Sequence, residues 1–369
     1  MNISEVTYTK IIKPFLFKFT EAEDIHEATL SLGHFFGKFA FTRFITKGIF
    51  AHENSMLSQE ISGIKFKNPV GLSAGFDKNA EIVNLLPSLG FSFGQIGTIT
   101  NYPYAGNEKP RLYRLPKSKS IVVNFGLKND GVEKILKRIK ESRHKSTILG
   151  ISVGRTNCKE TVAPEAGIKD ISSCLSSVIE SGLGDMYTIN ISCPNLFGGE
   201  SFTAPDSLEK LLGAIYELPL QKPVYIKMPI NLPWEEFGKL VDVAVSFKVD
   251  GVIIGNLNKV RKSPKIIDEI PEHIKGSASG MPTQALSNEL ISKTYKNYGD
   301  KLVIIGVGGI FCAEDAYEKI KRGASLVQLI TGLIFEGPQL VGQINKGLVK
   351  LLKADDFEHI GEAIGANHK

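Results

Sequence analysis

The stretch KLVIIGVGGIFCAEDAYEKIKRGASLVQLI, residues 301–330, contains one repeat of the pattern that decides the fold. Short, apolar, β-branched runs at 301–307 and 324–330 predict buried strands. The amphipathic run at 313–322 between them predicts a helix that Gly323 ends. Strand, helix and strand in this order predict a parallel βαβ unit.

The same alternation extends over most of the chain. Strands are predicted at 69–73, 93–98, 147–153, 186–192, 223–228, 250–256, 301–307 and 324–330. Helices are predicted at 131–143, 168–182, 206–217, 234–247, 284–298, 313–322 and 338–352. Eight strands alternating with helices predict an α/β fold, a parallel (β/α)8 TIM barrel, and the strand count disfavours an open doubly wound sheet.

One segment interrupts the alternation. Residues 101–123, NYPYAGNEKPRLYRLPKSKSIVV, form a connection that is too long and too rich in proline and turn residues for a plain loop after a strand. We predict that this segment is an inserted β excursion above the mouth of the barrel.

Composition restricts the possible functions only moderately. The chain has 369 residues, 42% of them hydrophobic, and a formal net charge of +5 with basic residues spread along it. This distribution gives no sign of a nucleic-acid partner. Its four cysteines show no C-x-x-C spacing, which argues against a zinc site or a disulfide framework and indicates a reducing cytosol. We predict no metal site.

The first fifty residues contain nine of the 21 phenylalanines, where proportional sharing gives about three. No uncharged run there approaches the about 20 apolar residues needed to cross a bilayer. Two short helices with exposed aromatic side chains and a few cations would lie in the interface of a membrane. The alternative is a helical hairpin that caps the main domain with its phenylalanines in the core.

Polar residues follow the predicted strands at their carboxyl ends, the face that carries the chemistry in barrels of this type. The residues at these positions are Lys78, Thr98, Ser152, Asn190, Cys193, Asn195, Lys227, Asn256, Gly308, Gly309 and Thr331. A buried lysine needs a partner, so two lysines in such a ring are difficult to explain by packing alone. The ring therefore predicts an active site.

The last two strands predict a phosphate site. IGVGGI (305–310) and QLITGLIF (328–335) place glycines and a helix start where backbone N–H groups can hold an anion. Tight barrel turns are the alternative explanation for these glycines. A phosphate here, with lysines and asparagines from other strands, suits a flavin, and Lys227 is the candidate that stabilises negative charge on the reduced ring.

Over about residues 13–350 the chain resembles dihydroorotate dehydrogenase in its class 2, quinone-linked, membrane-associated form. AGFDKN, KPRLYRL and the N-terminal EAEDIHEA favour class 2 over class 1. The other matching stretches are FKNPVGLS, IGTIT, GLKNDGV, INISCPN, DGVIIGN, SGMP, IIGVGGI and GASLVQL.

This resemblance implies an FMN-binding barrel at 61–369 and a helical membrane- and quinone-binding extension at 1–60. It implies oxidation of (S)-dihydroorotate to orotate in pyrimidine (UMP) synthesis, with a membrane quinone as acceptor. It also implies a peripheral protein on the cytoplasmic face of the cell membrane, attached through its N-terminal helices.

The resemblance also implies a role for individual residues. FMN would contact Ala74, Gly75, Lys78, Thr98, Ser152, Asn190, Lys227, Gly280, Gly309, Ile330 and Thr331. Substrate would contact Lys78, Asn124, Phe125, Gly126, Asn190, Asn195 and Asn256. His26 and Arg114 would line the quinone tunnel.

By the same resemblance, Cys193 in INISCPN would occupy the place of the base that removes the C5 proton while a hydride passes from C6 to the flavin. Class 2 members have serine at this place and class 1 members have cysteine. A thiol, with an ordinary pKa of about 8.5, is a better base than a hydroxyl. The alternatives are a covalent nucleophile, a buried filler, and a metal ligand, which would lack a second soft ligand nearby.

Five positions depart from the family's polar residues. The family has asparagine at the places of Val123 and Ser152 and threonine at the places of Gly255 and Leu257. It has tyrosine at the place of Ile330. Losing hydrogen-bonding groups shifts preference toward a less polar ligand. A related flavin enzyme acting on another cyclic amide, or on a tRNA uridine as in dihydrouridine synthases, is therefore the main alternative. A barrel without flavin, such as a phosphate-sugar lyase or a binding protein, is the other.

Overall fold

A closed barrel of eight parallel strands forms the centre of the protein. The structure, a computed structural model, describes residues 3–142 and 147–369. The barrel strands are β1 (Val70–Leu72), β2 (Phe93–Ile99), β3 (Ile148–Val153), β4 (Met186–Asn190), β5 (Val224–Met228), β6 (Gly251–Ile254), β7 (Val303–Val307) and β8 (Leu326–Leu329). Each pairs in parallel with its neighbours in chain order, and β8 pairs with β1. The (β/α)8 prediction is confirmed, and the open sheet is excluded.

An outer layer of helices covers the barrel. It comprises Val132–Ser142, Pro164–Ser181, Pro205–Tyr216, Trp234–Ser246, Gln284–Tyr298, Ala313–Lys321 and Leu340–Ala354, with the 3₁₀ segment Val83–Leu89 between β1 and β2. Each of the seven α-helices covers a predicted helix to within a few residues, and the 3₁₀ segment was not predicted. Residue 143 of the predicted helix 131–143 lies outside the described residues.

Large side chains fill the amino end of the barrel interior. Phe66, from the strand pair Gln59–Ile61 and Ile64–Phe66, stacks edge-on against Phe93 with ring centroids 5.2 Å apart. Gly71 leaves room for these rings, because a Cβ at residue 71 would lie 2.3 Å from Phe93. Because these rings fill the amino end, the barrel interior offers room for a ligand at the carboxyl ends of the strands. The domain boundary predicted after residue 60 falls within this strand pair and stays a prediction.

The inserted segment forms a small antiparallel sheet at the mouth. Leu112–Leu115 pairs with Ser120–Val123, which also pairs with Ser277–Ala278 from the connection after β6. The predicted β excursion is therefore confirmed, and its third strand comes from a part of the chain about 150 residues away.

The N-terminal residues form helices beside the mouth. Ala22–Lys38 and Ala40–Phe50 make a helical hairpin, which residues 3–19 precede. The hairpin packs on the barrel through Gly33 and Gly37, which lie against Ile82 and Leu85. Residues 1–2 of the predicted extension lie outside the described residues.

Seven of the nine phenylalanines of this region face outward. Phe41 and Phe44 are 72% and 77% exposed, and Phe15, Phe19, Phe35, Phe36 and Phe39 are exposed as well. The alternative that places the phenylalanines in the core is therefore wrong for these seven. Among the described residues no helix combines the length and the apolar character that crossing a membrane requires.

Candidate active site

The site is an open cavity at the carboxyl ends of the barrel strands, with about 910 Å³ of empty space when its solvent-filled opening is included. Loops from six strands and the inserted sheet contribute to its wall. Many of the site residues predicted from the sequence line the cavity. They are Ala74, Gly75, Lys78, Thr98, Phe125, Gly126, Asn190, Cys193, Asn195, Lys227, Asn256, Ile330 and Thr331, together with His26 of the hairpin. The fold thus brings most of the predicted site residues around one space.

A second, smaller cavity adjoins the first, with about 520 Å³ of empty space when its open side is included. The two share Lys227, Asn256 and Thr331 among their walls. It is lined by Gly308 and Gly309 after β7, and by Gly280 and Gly332. A Cβ on Gly309 (φ +68°) would lie 2.4 Å from Gln284 Cβ, so only glycine permits this close backbone approach. A narrow space walled by glycine backbone suits a phosphate group.

Lys227 extends from β5 between the two cavities and is buried. Its Nζ donates to Ser73 Oγ at 3.3 Å, and no carboxylate in the described residues forms an ion pair with it. Burial lowers the pKa of Lys227 to about 8, against the raising effect of Cys193. A buried ammonium without an anionic partner fits a ligand that is, or becomes, negative at that edge.

A network of amides and hydroxyls lines the wall formed by β2 and β4. Asn190 Nδ2 donates to Thr98 Oγ1 at 2.7 Å, and Thr98 Oγ1 lies 2.9 Å from Ser152 Oγ. Ser152 is therefore turned toward Thr98 and lines neither cavity. Asn256 Nδ2 donates to the hydroxyl of Ser192 at 2.7 Å, so these amides are held in place before any ligand binds.

Lys78 and His26 meet at the side of the cavity that faces the hairpin. Lys78 Nζ lies 3.3 Å from His26 Nε2 and 3.8 Å from the centre of the Phe125 ring. Burial, followed by the charge of Lys128, lowers the pKa of Lys78 to about 8. Burial and then Lys78 lower the pKa of His26 to about 3, so the imidazole is neutral and can accept a hydrogen bond from Lys78.

Cys193 lines the main cavity and is 8% exposed. Burial raises the pKa of its thiol to about 11, while the backbone hydrogen bond from Asn195 and the charge of Lys227 act in the opposite direction. The side chain of Asn195 donates to Val123 O at 2.9 Å. Within the described residues no group of three or more His, Cys, Asp or Glu could hold a metal ion.

Two predicted residues lie behind the wall. Asn124 Oδ1 accepts from Asn107 Nδ2 at 3.1 Å, and Asn124 does not line the cavity. Arg114 donates to Thr20 O at 2.6 Å and stacks on Phe17 at 4.8 Å, which attaches the inserted sheet to the N-terminal segment.

Sequence reasoning missed Asn107, whose side-chain amide also donates to Asn195 O at 3.0 Å. Its place in the inserted segment 101–123, two residues before KPRLYRL, was the available signal. It also missed Lys128, which lines the cavity and pairs with Glu23 and Glu27 of the hairpin at 3.1 and 2.9 Å.

The glycine-walled cavity can accept the phosphate of a cofactor. The larger cavity, with its buried lysines and oriented amides, can accept the ring of that cofactor and a second small ligand. The fold and site place the chain in the class of (β/α)8-barrel oxidoreductases that hold a flavin at the mouth. The chain belongs to the dihydroorotate dehydrogenase family, whose model matches residues 56–352.

Individual relatives agree with this assignment. The chain is 37% identical to dihydroorotate dehydrogenase (quinone) of Sulfurimonas denitrificans, over 97% of this chain and 98% of that protein. It is 33% identical to the protein of the same name from Trichodesmium erythraeum, over 98% and 99%. The crystal structure of DHODH in complex with ferulenol from Eimeria tenella superposes with a TM-score of 0.84 at 27% identity, covering 97% of this chain and 99% of that one.

Proposed function

We propose that this chain oxidises dihydroorotate to orotate with bound FMN and passes the electrons to a membrane quinone, as a step of pyrimidine synthesis. One observation carries the proposal: Cys193, Lys227 and the amides of two strand ends line one cavity that opens into a glycine-walled pocket. The names of the relatives, dihydroorotate dehydrogenase (quinone), support the choice of substrate and acceptor.

FMN fits the two joined cavities. Backbone N–H groups around Gly280, Gly309 and Thr331 would hold its phosphate, and Lys227 would meet the edge of the ring that becomes negative on reduction. Ala74, Gly75, Thr98, Asn190 and Ile330 would contact the rest of the ring. Bound there, the flavin supplies the hydride acceptor for the reaction.

Dihydroorotate would bind in the remaining part of the main cavity. Its carboxylate matches the ammonium of Lys78, and its ring amides match Asn190, Asn195 and Asn256. Phe125 and Gly126 complete this wall. Asn124 would act through Asn107, since its side chain is bonded there.

Cys193 would take the C5 proton of the substrate. Its raised pKa means that the thiol form dominates at neutral pH, so proton transfer depends on the small thiolate fraction. Lys227, which lowers that pKa, favours the thiolate. Because Thr98 and Ser192 hold Asn190 and Asn256 in place by hydrogen bonds, a substrate bound to these amides would be fixed relative to the sulfur.

The hairpin would bind the quinone and the membrane. Its exposed phenylalanines would enter the membrane interface, on the cytoplasmic face of the cell membrane, with the chain attached peripherally. His26 lies at the junction of the hairpin and the main cavity, where an acceptor could approach the flavin. Arg114 would support this passage by holding the N-terminal segment on the inserted sheet.

A less polar cyclic amide is the second candidate substrate. Val123, Leu257 and Ile330 line the main cavity with apolar groups. The side chains of Leu257 and Val123 cannot form the hydrogen bonds that a polar pyrimidine would use.

Anaerobic mixing of the purified, flavin-bearing protein with dihydroorotate tests the proposal. We expect the visible flavin absorbance to bleach rapidly and to return on addition of a short-chain quinone. Absence of bleaching with dihydroorotate, in a protein whose flavin dithionite does bleach, would refute this substrate. A protein that purifies without flavin and binds none would refute the cofactor as well.

A further inference from the structure

Lys319 is a completely buried lysine (0% exposed) in the outer helix Ala313–Lys321, away from both cavities. Its Nζ donates to Ser287 Oγ at 3.0 Å and to Asn288 Oδ1 at 2.7 Å. No carboxylate among the described residues lies within ion-pair distance of it. Burial lowers the pKa of Lys319 to about 7, and Asp315 opposes this shift.

The contacts of Lys319 lead to the glycine loop after β7. Ser287 Oγ donates to Val307 O at 2.6 Å and lies 3.3 Å from Ile254 O. Val307 directly precedes Gly308 and Gly309 of the second cavity. The Ser287 hydroxyl therefore connects the Lys319 ammonium to the end of β7, where this loop starts.

The same helix supports the loop at its far end. Asp315 accepts from Phe311 N at 2.9 Å and from Gln284 Nε2 at 2.7 Å. Gln284 Nε2 in turn donates to Gly309 O at 2.7 Å. The helix Ala313–Lys321 thus holds both ends of the loop, through Asp315 on one side and Lys319 on the other.

Packing alone does not explain a lysine at this position. Burying an ammonium without a carboxylate costs free energy, and a neutral donor could make the same hydrogen bonds. What the protonated form of Lys319, which an anion in front of the loop would favour, adds is a positive potential behind the loop. Water screens this potential little because the group is buried. A negative ligand in front of the loop would benefit from that potential.

We infer that Lys319 is a positioning residue for the cofactor phosphate: it holds the Gly308–Gly309 loop through Ser287 and supplies a buried positive charge behind it. The inference rests on the proposed FMN function. According to this inference, Lys319 lies outside the cavity but contributes to the preference of the site for FMN over a flavin without phosphate.

The test compares binding of FMN and riboflavin, which differ by the phosphate, to the full chain depleted of flavin. Quenching of flavin fluorescence gives both dissociation constants and their ratio. The variants are Lys319→Met and Lys319→Gln, the second of which retains hydrogen-bonding ability in case the first does not fold. Lys321→Met is the matched control, since Lys321 lies on the same helix and pairs with Asp355 at 3.4 Å.

We expect both Lys319 variants to weaken FMN binding about tenfold more than riboflavin binding, and Lys321→Met to leave the ratio unchanged. Equal weakening of both flavins would overturn the inference, because a purely structural role affects the two alike. A wild-type chain with no preference for FMN would overturn the proposed phosphate site itself. A clear wild-type preference that persists in both Lys319 variants would overturn only the inference.

Discussion

Replacing Cys193 by alanine removes the group that we expect to take the substrate proton. A positioned general base contributes about 10²- to 10⁴-fold to a rate, so flavin reduction by dihydroorotate should slow by this factor. Orotate binding should change less than about threefold, because Asn190, Asn195 and Asn256 remain. Cys312→Ala is the control, since this cysteine is exposed and outside the cavity.

The raised pKa of Cys193 also predicts a pH dependence. With a pKa of about 11, about one thiol in a thousand is ionised at pH 8. The base is the ionised form, so the rate should rise about tenfold per pH unit up to about pH 8. Above that pH the rise should flatten, because Lys78 and Lys227, each with a pKa of about 8, lose their charge. In Cys193→Ala this rise should disappear.

Anaerobic stopped-flow absorbance measures the reduction rate in each buffer, and titration of the flavin spectrum with orotate measures affinity. An unchanged rate in Cys193→Ala, or a flat wild-type pH profile beside a slow variant, would refute the reasoning. The first result would remove Cys193 from the chemistry. The second would show that its ionisation does not limit the proton transfer.

Three further predictions follow from the site and the hairpin. Lys227→Met should lower the midpoint potential of the bound flavin by about 30 mV or more, equivalent to about 1.4 kcal/mol, and an unchanged potential in a redox titration would contradict its role at the ring edge. Gly309→Ala should purify with little flavin, because its Cβ would meet Gln284 at 2.4 Å, and full flavin content by absorbance ratio would contradict the tight cradle. The double change Phe41→Ser with Phe44→Ser should weaken vesicle binding at least about 100-fold, since each buried phenylalanine contributes about 1.5–3 kcal/mol, while flavin reduction stays unchanged. Undiminished vesicle sedimentation would place the membrane contact elsewhere.

The architecture and the location of the site could be predicted from the sequence, because both depend on local pattern. The buried strands and the helices between them are each readable within about ten residues, and eight such units close into a barrel. Once the barrel is predicted, every residue at a carboxyl strand end belongs to the same mouth. Lys78, Asn190 and Lys227 could therefore be grouped although they are far from one another along the chain.

The direction of individual side chains was decided only by the tertiary structure. Ser152 ends a strand like the others, yet it turns to Thr98 because that hydroxyl lies 2.9 Å away on the neighbouring strand. Asn107 supports the site through Asn124 and Asn195, which come from two other loops. No spacing along the chain encodes such contacts between distant segments.

Burial was likewise decided by the assembled molecule. Composition left open whether the N-terminal phenylalanines pack inward. In the structure the hairpin packs against the barrel through Gly33 and Gly37, and most of its phenylalanines lie on the opposite, exposed side. Lys319 looks like an ordinary charged residue of an amphipathic helix, but the neighbouring helix Gln284–Tyr298 covers it. Periodicity predicts that a helix has a buried face, whereas the elements packed against the helix determine which polar groups that face must accommodate.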